Sequence, residues 1–149
     1  MITPTLDLER SLAAQGYDLI TGFDEVGRGA LAGPVMVGCA AIWACDLAPL
    51  DGDDSAELSG RTYLGVPDGV ADSKMLAEHR REAIFDELRD WCAAYAVGQA
   101  SNTEIDEWGI TYALGVAALR ALSQVETRTG LRLGGGLDGK KGCGGDWWK

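Results

Sequence analysis

The strongest constraint on this chain lies between residues 17 and 43. Tyr17-Asp18-Leu19-Ile20-Thr21-Gly22-Phe23 reads as a strand running into Asp24 and Glu25. Pro34 to Trp43 (PVMVGCAAIW) is an apolar, partly β-branched run bounded by turn signals. With Gly27, Gly29 and Gly33 between them, the two runs suit a hairpin whose second strand is buried. Adjacent carboxylates at a strand end cannot both point the same way, because successive side chains alternate faces. If Asp24 points into a cleft, Glu25 reaches it only where the chain is already turning. Gly27 and Gly29 supply that turn and let backbone N–H groups approach a ligand closely. Carboxylates beside exposed amides suit a hard cation and a phosphate held together.

The rest of the chain reads as helices and strands in alternation. Thr3-Pro4 opens a short helix that Gly16 closes. Residues 45 to 70, rich in Asp, Gly, Ser and Pro, read as a surface excursion. Ser73 then caps a long helix through Tyr95, with Leu76, Ile84, Leu88, Trp91 and Cys92 on its buried face. Ala96 to Ala100 reads as a strand, and Asn102-Thr103-Glu104-Ile105-Asp106 starts a further helix with a capping residue and early acids. Ile110 to about Thr127 is a helix of small residues, able to pack closely on a sheet. Leu131-Arg132-Leu133 begins a strand that Gly134, Gly135 and Gly136 weaken, and KKGCGGDWWK has no core pattern. The expected architecture is α/β, a mixed sheet flanked by helices.

Composition narrows the function classes. At 149 residues, 46% hydrophobic and 24% charged, the chain reads as one soluble globular domain. No run approaches the roughly 18 apolar residues of a membrane helix, and MITPTLDLER lacks the basic and apolar regions of a signal peptide. The expectation is a cytoplasmic protein with no membrane partner, acting as a monomer. Cys39, Cys45, Cys92 and Cys143 form no CxxC pair and the lone histidine is His79, which argues against a structural zinc site and a disulfide framework. Cys39 and Cys92 lie in apolar runs and read as small core residues. The net charge of −10 weighs against a polyanionic partner unless a local groove with bound divalent cations overrides it.

Three chemistries compete for the segment DEVGRG. One is a solvated turn whose arginine pairs with the acids. A second is a dinucleotide loop, faintly echoed by Gly27, Gly29 and Gly33, but that fingerprint needs a helix to follow, and Pro34 leads into a strand. A Walker loop is excluded because no GK[ST] follows the glycines. The third is metal-dependent phosphate chemistry.

This third reading is reinforced by resemblance. GFDEVGRGALAGPVMVG resembles, position by position, the opening signature of ribonuclease HII, the type 2 ribonucleases H. Further blocks follow in that family's order: Val70-Ala71-Asp72-Ser73-Lys74-Met75-Leu76 with Arg81-Glu82, Glu104-Ile105-Asp106 with Gly109-Ile110, the Ala-rich helix ending Arg120-Ala121-Leu122, and Leu137-Asp138-Gly139. Together they cover residues 20 to about 139. The resemblance implies a ribonuclease H-like catalytic domain over residues 1–139, incomplete at its C-terminal end, and an atypical tail over 140–149. It implies an endonuclease that hydrolyses the RNA strand of RNA–DNA hybrids and cuts at ribonucleotides embedded in duplex DNA, leaving a 3′-hydroxyl and a 5′-phosphate. Asp24, Glu25 and Asp138 match three of the family's four catalytic, metal-binding carboxylates, which hold two Mg²⁺ or Mn²⁺ ions. Gly27, Arg28 and Gly29 match the loop whose backbone reads the 2′-hydroxyl, and Ser73 and Lys74 match positions near the nucleic-acid backbone. The fourth carboxylate and a sugar-stacking tyrosine have no counterpart here, since Asp146 lacks helical context and Trp147 and Trp148 read as exposed terminal aromatics. An impaired enzyme is therefore the expectation, and a non-catalytic remnant that still binds metal or hybrid is the alternative.

Overall fold

The computed structural model describes residues 3–29, 32–50 and 62–130. Four helices, α1 (Asp7–Ala14), α2 (Glu78–Trp91), α3 (Asn102–Trp108) and α4 (Ile110–Thr129), accompany three strands, β1 (Leu19–Val26), β2 (Val35–Trp43) and β3 (Ala94–Ala100). The fold is α/β. The strands form one sheet in the order β1-β2-β3, with β2 and β3 antiparallel from Val35 opposite Ala100 to Ala41 opposite Ala94. The expected hairpin is present, and β1 runs on through Asp24 and Glu25 to Val26 before it turns.

The chain divides into two compact units. The first holds the start of β1, the end of β2, α1 and α2. Its core joins Leu6, Ile20, Ile42 and Leu47 with half-buried Leu12, Leu64, Val66 and Trp91. Leu64 and Val66 belong to the stretch expected to be only a surface excursion. The Leu64 N–H donates to Asp46 O at 2.8 Å, and the Trp91 indole donates to Gly65 O at 2.8 Å. Two apolar side chains in a loop gave no periodicity to read, but they are enough to seat it on a core. Residues 51–61 of that stretch lie outside the described residues, as do the strand and tail expected beyond Gly130.

The single helix expected from Ser73 to Tyr95 is instead three segments. Ser73–Met75 form one 3-10 turn, Leu76 and Ala77 are extended (ψ 132 and 152), and α2 then runs from Glu78 to Trp91. The Asp72 carboxylate, not the Ser73 hydroxyl, caps the short turn by accepting from Lys74 N–H at 3.0 Å. Arg81 takes the carbonyls of Ser73 and Leu76, which a continuous helix would have used internally. At the far end Cys92 is already extended (ψ 146) and β3 begins at Ala94. Cys39 is buried and Cys92 half-buried, both free thiols with pKa raised by desolvation.

In the second unit α4 packs on β3 through Ala113, Ala117, Ala121 and Val125, all at 0% exposure and spaced four apart. Small side chains let the backbones approach, and Gly98 completes the approach. A Cβ placed there would lie 2.0 Å from Ala117 O and 2.5 Å from Ala121 N. Val35, Val37 and Ala100 fill the same core, with Ile105, Ile110 and Leu114 packed against it. The outer edge of β3 is also covered by α4. Arg120 donates to Gln99 O at 2.8 Å, Gln124 to Val97 O at 3.0 Å, and Arg128 to Tyr95 O. Every fourth helical residue advances about 6 Å, and every second strand residue about 6.8 Å. The two rows therefore stay in step over three bonds, and edge carbonyls that would invite another strand are occupied.

Candidate functional site

The site begins where β1 leaves its core. Along Leu19–Val26 burial falls from two buried residues to five exposed ones, so both faces of the strand end are open at Asp24 and Glu25. Alternation places their side chains on opposite faces, because β1 is still a strand at Glu25 and the chain turns only at Gly27. The Asp24 carboxylate accepts from the Glu25 N–H at 2.9 Å, which folds it back along its own chain. Glu25 lies 3.9 Å from the Arg28 guanidinium, with both side chains about half exposed. A pair that long and that solvated holds neither partner firmly. The solvated turn with a paired arginine, read from the sequence as one alternative, is thus present geometrically but weakly made, and both carboxylates keep oxygens free to bind.

The two glycines of the turn do different work. Gly27 has φ +91, and a Cβ there would sit 2.8 Å from Pro34 O, so only glycine fits. Gly29 has no such conformation, and a Cβ there would meet nothing within 4 Å. The turn and the start of α3 together line a concavity of about 320 Å³. Gly27 and Arg28 stand on one side, Asn102 and Asp106 on the other, with Ile105 and Ile110 also lining it. Asn102 and Asp106 were not among the residues expected at a site. Their spacing of four on α3 offered a signal, but nothing local indicates that α3 meets the glycine turn.

α3 is held in place by a compact polar network. Its N-cap is Ser101, not Asn102 as the acids at its start suggested. Ser101 Oγ accepts from Glu104 N–H at 3.2 Å and Glu104 Oε2 accepts from Ser101 N–H at 2.8 Å, a reciprocal capping box. Arg120 of α4 forks onto both Glu104 oxygens at 2.6 and 2.8 Å. The Arg120 hydrogen bond, then the Ser101 N–H, hold the Glu104 pKa down to about 2 from its ordinary 4.5.

Ser73 and Lys74 belong to the first unit, both exposed, on the capped 3-10 turn. Asp138 lies outside the described residues. Asp24 and Glu25 are hard oxygen donors of the kind Mg²⁺ and Mn²⁺ take. The donor chemistry therefore fits a divalent ion. Among the described residues no group of three or more His, Cys, Asp or Glu stands together, so two carboxylates are what they contribute.

No family model matches the chain. Individual relatives do. It is 43% identical over 147 residues to the ribonuclease HII of Streptomyces avermitilis and 42% identical over 147 residues to that of Streptomyces griseus, in each case over 98% of this chain. A more distant likeness, 41% over 123 residues, links it to the ribonuclease HII of a Ruegeria species. This chain belongs to the ribonuclease HII family. It spans about half the length of the ribonuclease HII relatives it matches, 54% of the S. avermitilis protein and 53% of that from S. griseus. The 98% coverage takes in every ribonuclease HII block expected from the sequence up to Arg120, and those described here fall on β1, the glycine turn, the 3-10 turn, α3 and α4. Among the described residues no helix is long and apolar enough to cross a membrane.

Proposed function

We propose that this chain serves as an endonuclease on the RNA strand of RNA–DNA hybrids and at ribonucleotides embedded in duplex DNA. The observation that carries the reading is local. Two adjacent, exposed carboxylates end a strand beside a turn whose position 27 admits only glycine, in a chain similar to ribonucleases HII. Asp24 and Glu25, with Asp138, would hold two Mg²⁺ or Mn²⁺ ions. When bound, such a pair supplies an activated water and stabilises the leaving 3′ oxygen of an in-line displacement, giving a 3′-hydroxyl and a 5′-phosphate.

The chain's own residues account for selectivity. At Gly29 a Cβ would meet nothing within 4 Å, so the backbone there is open to a sugar, and the 2′-hydroxyl is the group that separates RNA from DNA. Arg28 is only loosely tied to Glu25, so its guanidinium is free to move to a phosphate as Glu25 engages a cation. Ser73 and Lys74 would meet the nucleic-acid backbone. A net charge of −10 makes such local cations decisive, because the protein as a whole repels its substrate.

The test is cleavage, with Mn²⁺, of a duplex carrying one ribonucleotide against the all-DNA duplex of the same sequence. Cutting of the first alone, abolished by Asp24→Asn, supports the reading. Equal cutting of both overturns the substrate assignment, and metal-dependent hybrid binding without turnover favours a binding role.

A further inference from the structure

We infer that Arg81 is a positioning residue that presents Ser73 and Lys74 to the nucleic-acid backbone. The inference rests on the proposed contact between those two residues and the substrate. The turn that carries them has little burial to define it, since Ser73, Lys74 and Met75 are all exposed and Met75 keeps 62% of its surface. Its internal bonds are few. Asp72 Oδ1 accepts from Lys74 N–H at 3.0 Å, Asp72 O from Met75 N–H at 2.8 Å, and Ser73 O from Leu76 N–H at 3.3 Å. One isolated turn with three such bonds does not hold itself, because ordering a short helical turn costs more than its hydrogen bonds return.

Arg81 supplies the missing anchor. It sits in the first turn of α2, where its own N–H donates to Ala77 O at 3.1 Å, so its backbone is fixed by a 14-residue helix. From there Nη1 donates to Leu76 O at 2.7 Å and to Ser73 O at 3.3 Å. One guanidinium nitrogen thus grips the carbonyl that opens the turn's last bond and the carbonyl just after it. Lys74, by contrast, has no ion pair or side-chain hydrogen bond among the described residues, so its ammonium is available to a phosphate. A cation on an ordered turn meets the phosphate with less left to immobilise. Lysine at 81 keeps a single nitrogen donor but loses the rigid guanidinium plane that fixes its direction, so it would hold the two carbonyls less firmly.

The experiment measures binding of a short fluorescein-labelled RNA–DNA hybrid to the full chain over a range of salt, with Ca²⁺ present. It compares the wild type, Lys74→Ala, Arg81→Ala, Arg81→Lys and the double variant Lys74→Ala/Arg81→Ala. Lys74→Ala should weaken binding and lower the salt slope by about one, as loss of one phosphate contact does. Arg81→Ala should do the same, weakening binding about tenfold although the lysine remains. The double variant should be no weaker than Lys74→Ala alone, and Arg81→Lys should recover part of the loss. Hydrogen exchange of the free protein should speed up at the Met75 and Leu76 amides in Arg81→Ala and stay unchanged along α4. If the two single losses multiply and the slope falls by two, Arg81 touches phosphate itself and the inference is wrong. Wild-type affinity in Arg81→Ala also overturns it. Should Arg81→Ala unfold globally, Arg81→Lys decides: unchanged affinity and unchanged exchange at Met75 and Leu76 overturn the inference. If Lys74→Ala binds as the wild type does, or the wild type does not bind hybrid, the underlying reading of Ser73 and Lys74 fails instead.

Discussion

Gly98→Ala should be among the most damaging single-methyl changes available to this protein. The added Cβ would lie 2.0 Å from Ala117 O, 2.5 Å from Ala121 N and 3.0 Å from the Arg120 Cβ. An ordinary carbon–oxygen contact is about 3.3 Å or more, so α4 must retreat from β3 by on the order of 1.3 Å at that point. The two nearest atoms belong to the backbone, so no rotamer change relieves the contact. Retreat also opens a gap over Ala113, Ala117, Ala121 and Val125, each at 0% exposure, and a gap of about 1 Å forfeits up to about half of the dispersion well of the atoms lining it. The bonds from Arg120, Gln124 and Arg128 to the β3 edge lengthen with it. Overpacking of this kind costs about 1–3 kcal/mol, and the backbone clash places this case at or above about 3 kcal/mol. The assay is urea denaturation followed by far-UV circular dichroism, with Gly115→Ala as the matched control. Gly115 is exposed on α4 with nothing within 4 Å of a built Cβ, so alanine there should stabilise the helix by about 0.5–1 kcal/mol. Adding Ala117→Gly to Gly98→Ala should not rescue it, because the clash is with the carbonyl and not the methyl. A loss below about 1 kcal/mol in Gly98→Ala would refute the close approach of α4 to β3.

Gly27→Ala should cost about 1–3 kcal/mol from its φ of +91 alone, and more from the 2.8 Å contact with Pro34 O, whereas Gly29→Ala should be near neutral in the same denaturation assay. Calorimetric titration with Mn²⁺ should show binding to the wild type and its loss in Asp24→Asn/Glu25→Gln; equal heats from both would remove the basis for a metal at that strand end. The Glu104 pKa of about 2 in the folded state lies below its ordinary 4.5, so folding favours the carboxylate. Its contribution to stability is therefore complete above about pH 4.5 and is lost as pH falls from there toward 2. Glu104→Gln should flatten that acid limb of a melting-temperature profile, and an unchanged profile would show that the fork from Arg120 does not persist in solution.

Much of the architecture was legible because it is written in local patterns. The hairpin follows from an apolar run on each side of clustered glycines, and α4 from small residues at helical spacing, Ala113, Ala117, Ala121. The strand end at Asp24 and Glu25 and the glycine turn were legible for the same reason, being contiguous. What failed was what depends on distant partners. The helix expected from Ser73 to Tyr95 has good periodicity, yet Arg81 and Asp72 satisfy its first carbonyls and amides differently and break it at Leu76. The cap at Asn102 failed for a different reason: the Ser101-x-x-Glu104 capping box is itself a local pattern, and it sets the helix start one residue earlier.

The sequence by itself thus determined that two adjacent carboxylates end a strand, and the backbone freedom next to them at Gly27. Short-range sterics and side-chain alternation suffice for that. Only the tertiary structure decided what faces them. It brought Asn102 and Asp106 opposite the glycine turn, forked Arg120 onto Glu104 across two helices, and seated α4 on Gly98 closely enough to exclude a methyl group. Each of these joins residues separated by tens of positions or by a change of element. Such contacts are set by packing an apolar face on a sheet, and no local pattern encodes which polar groups that packing will leave side by side.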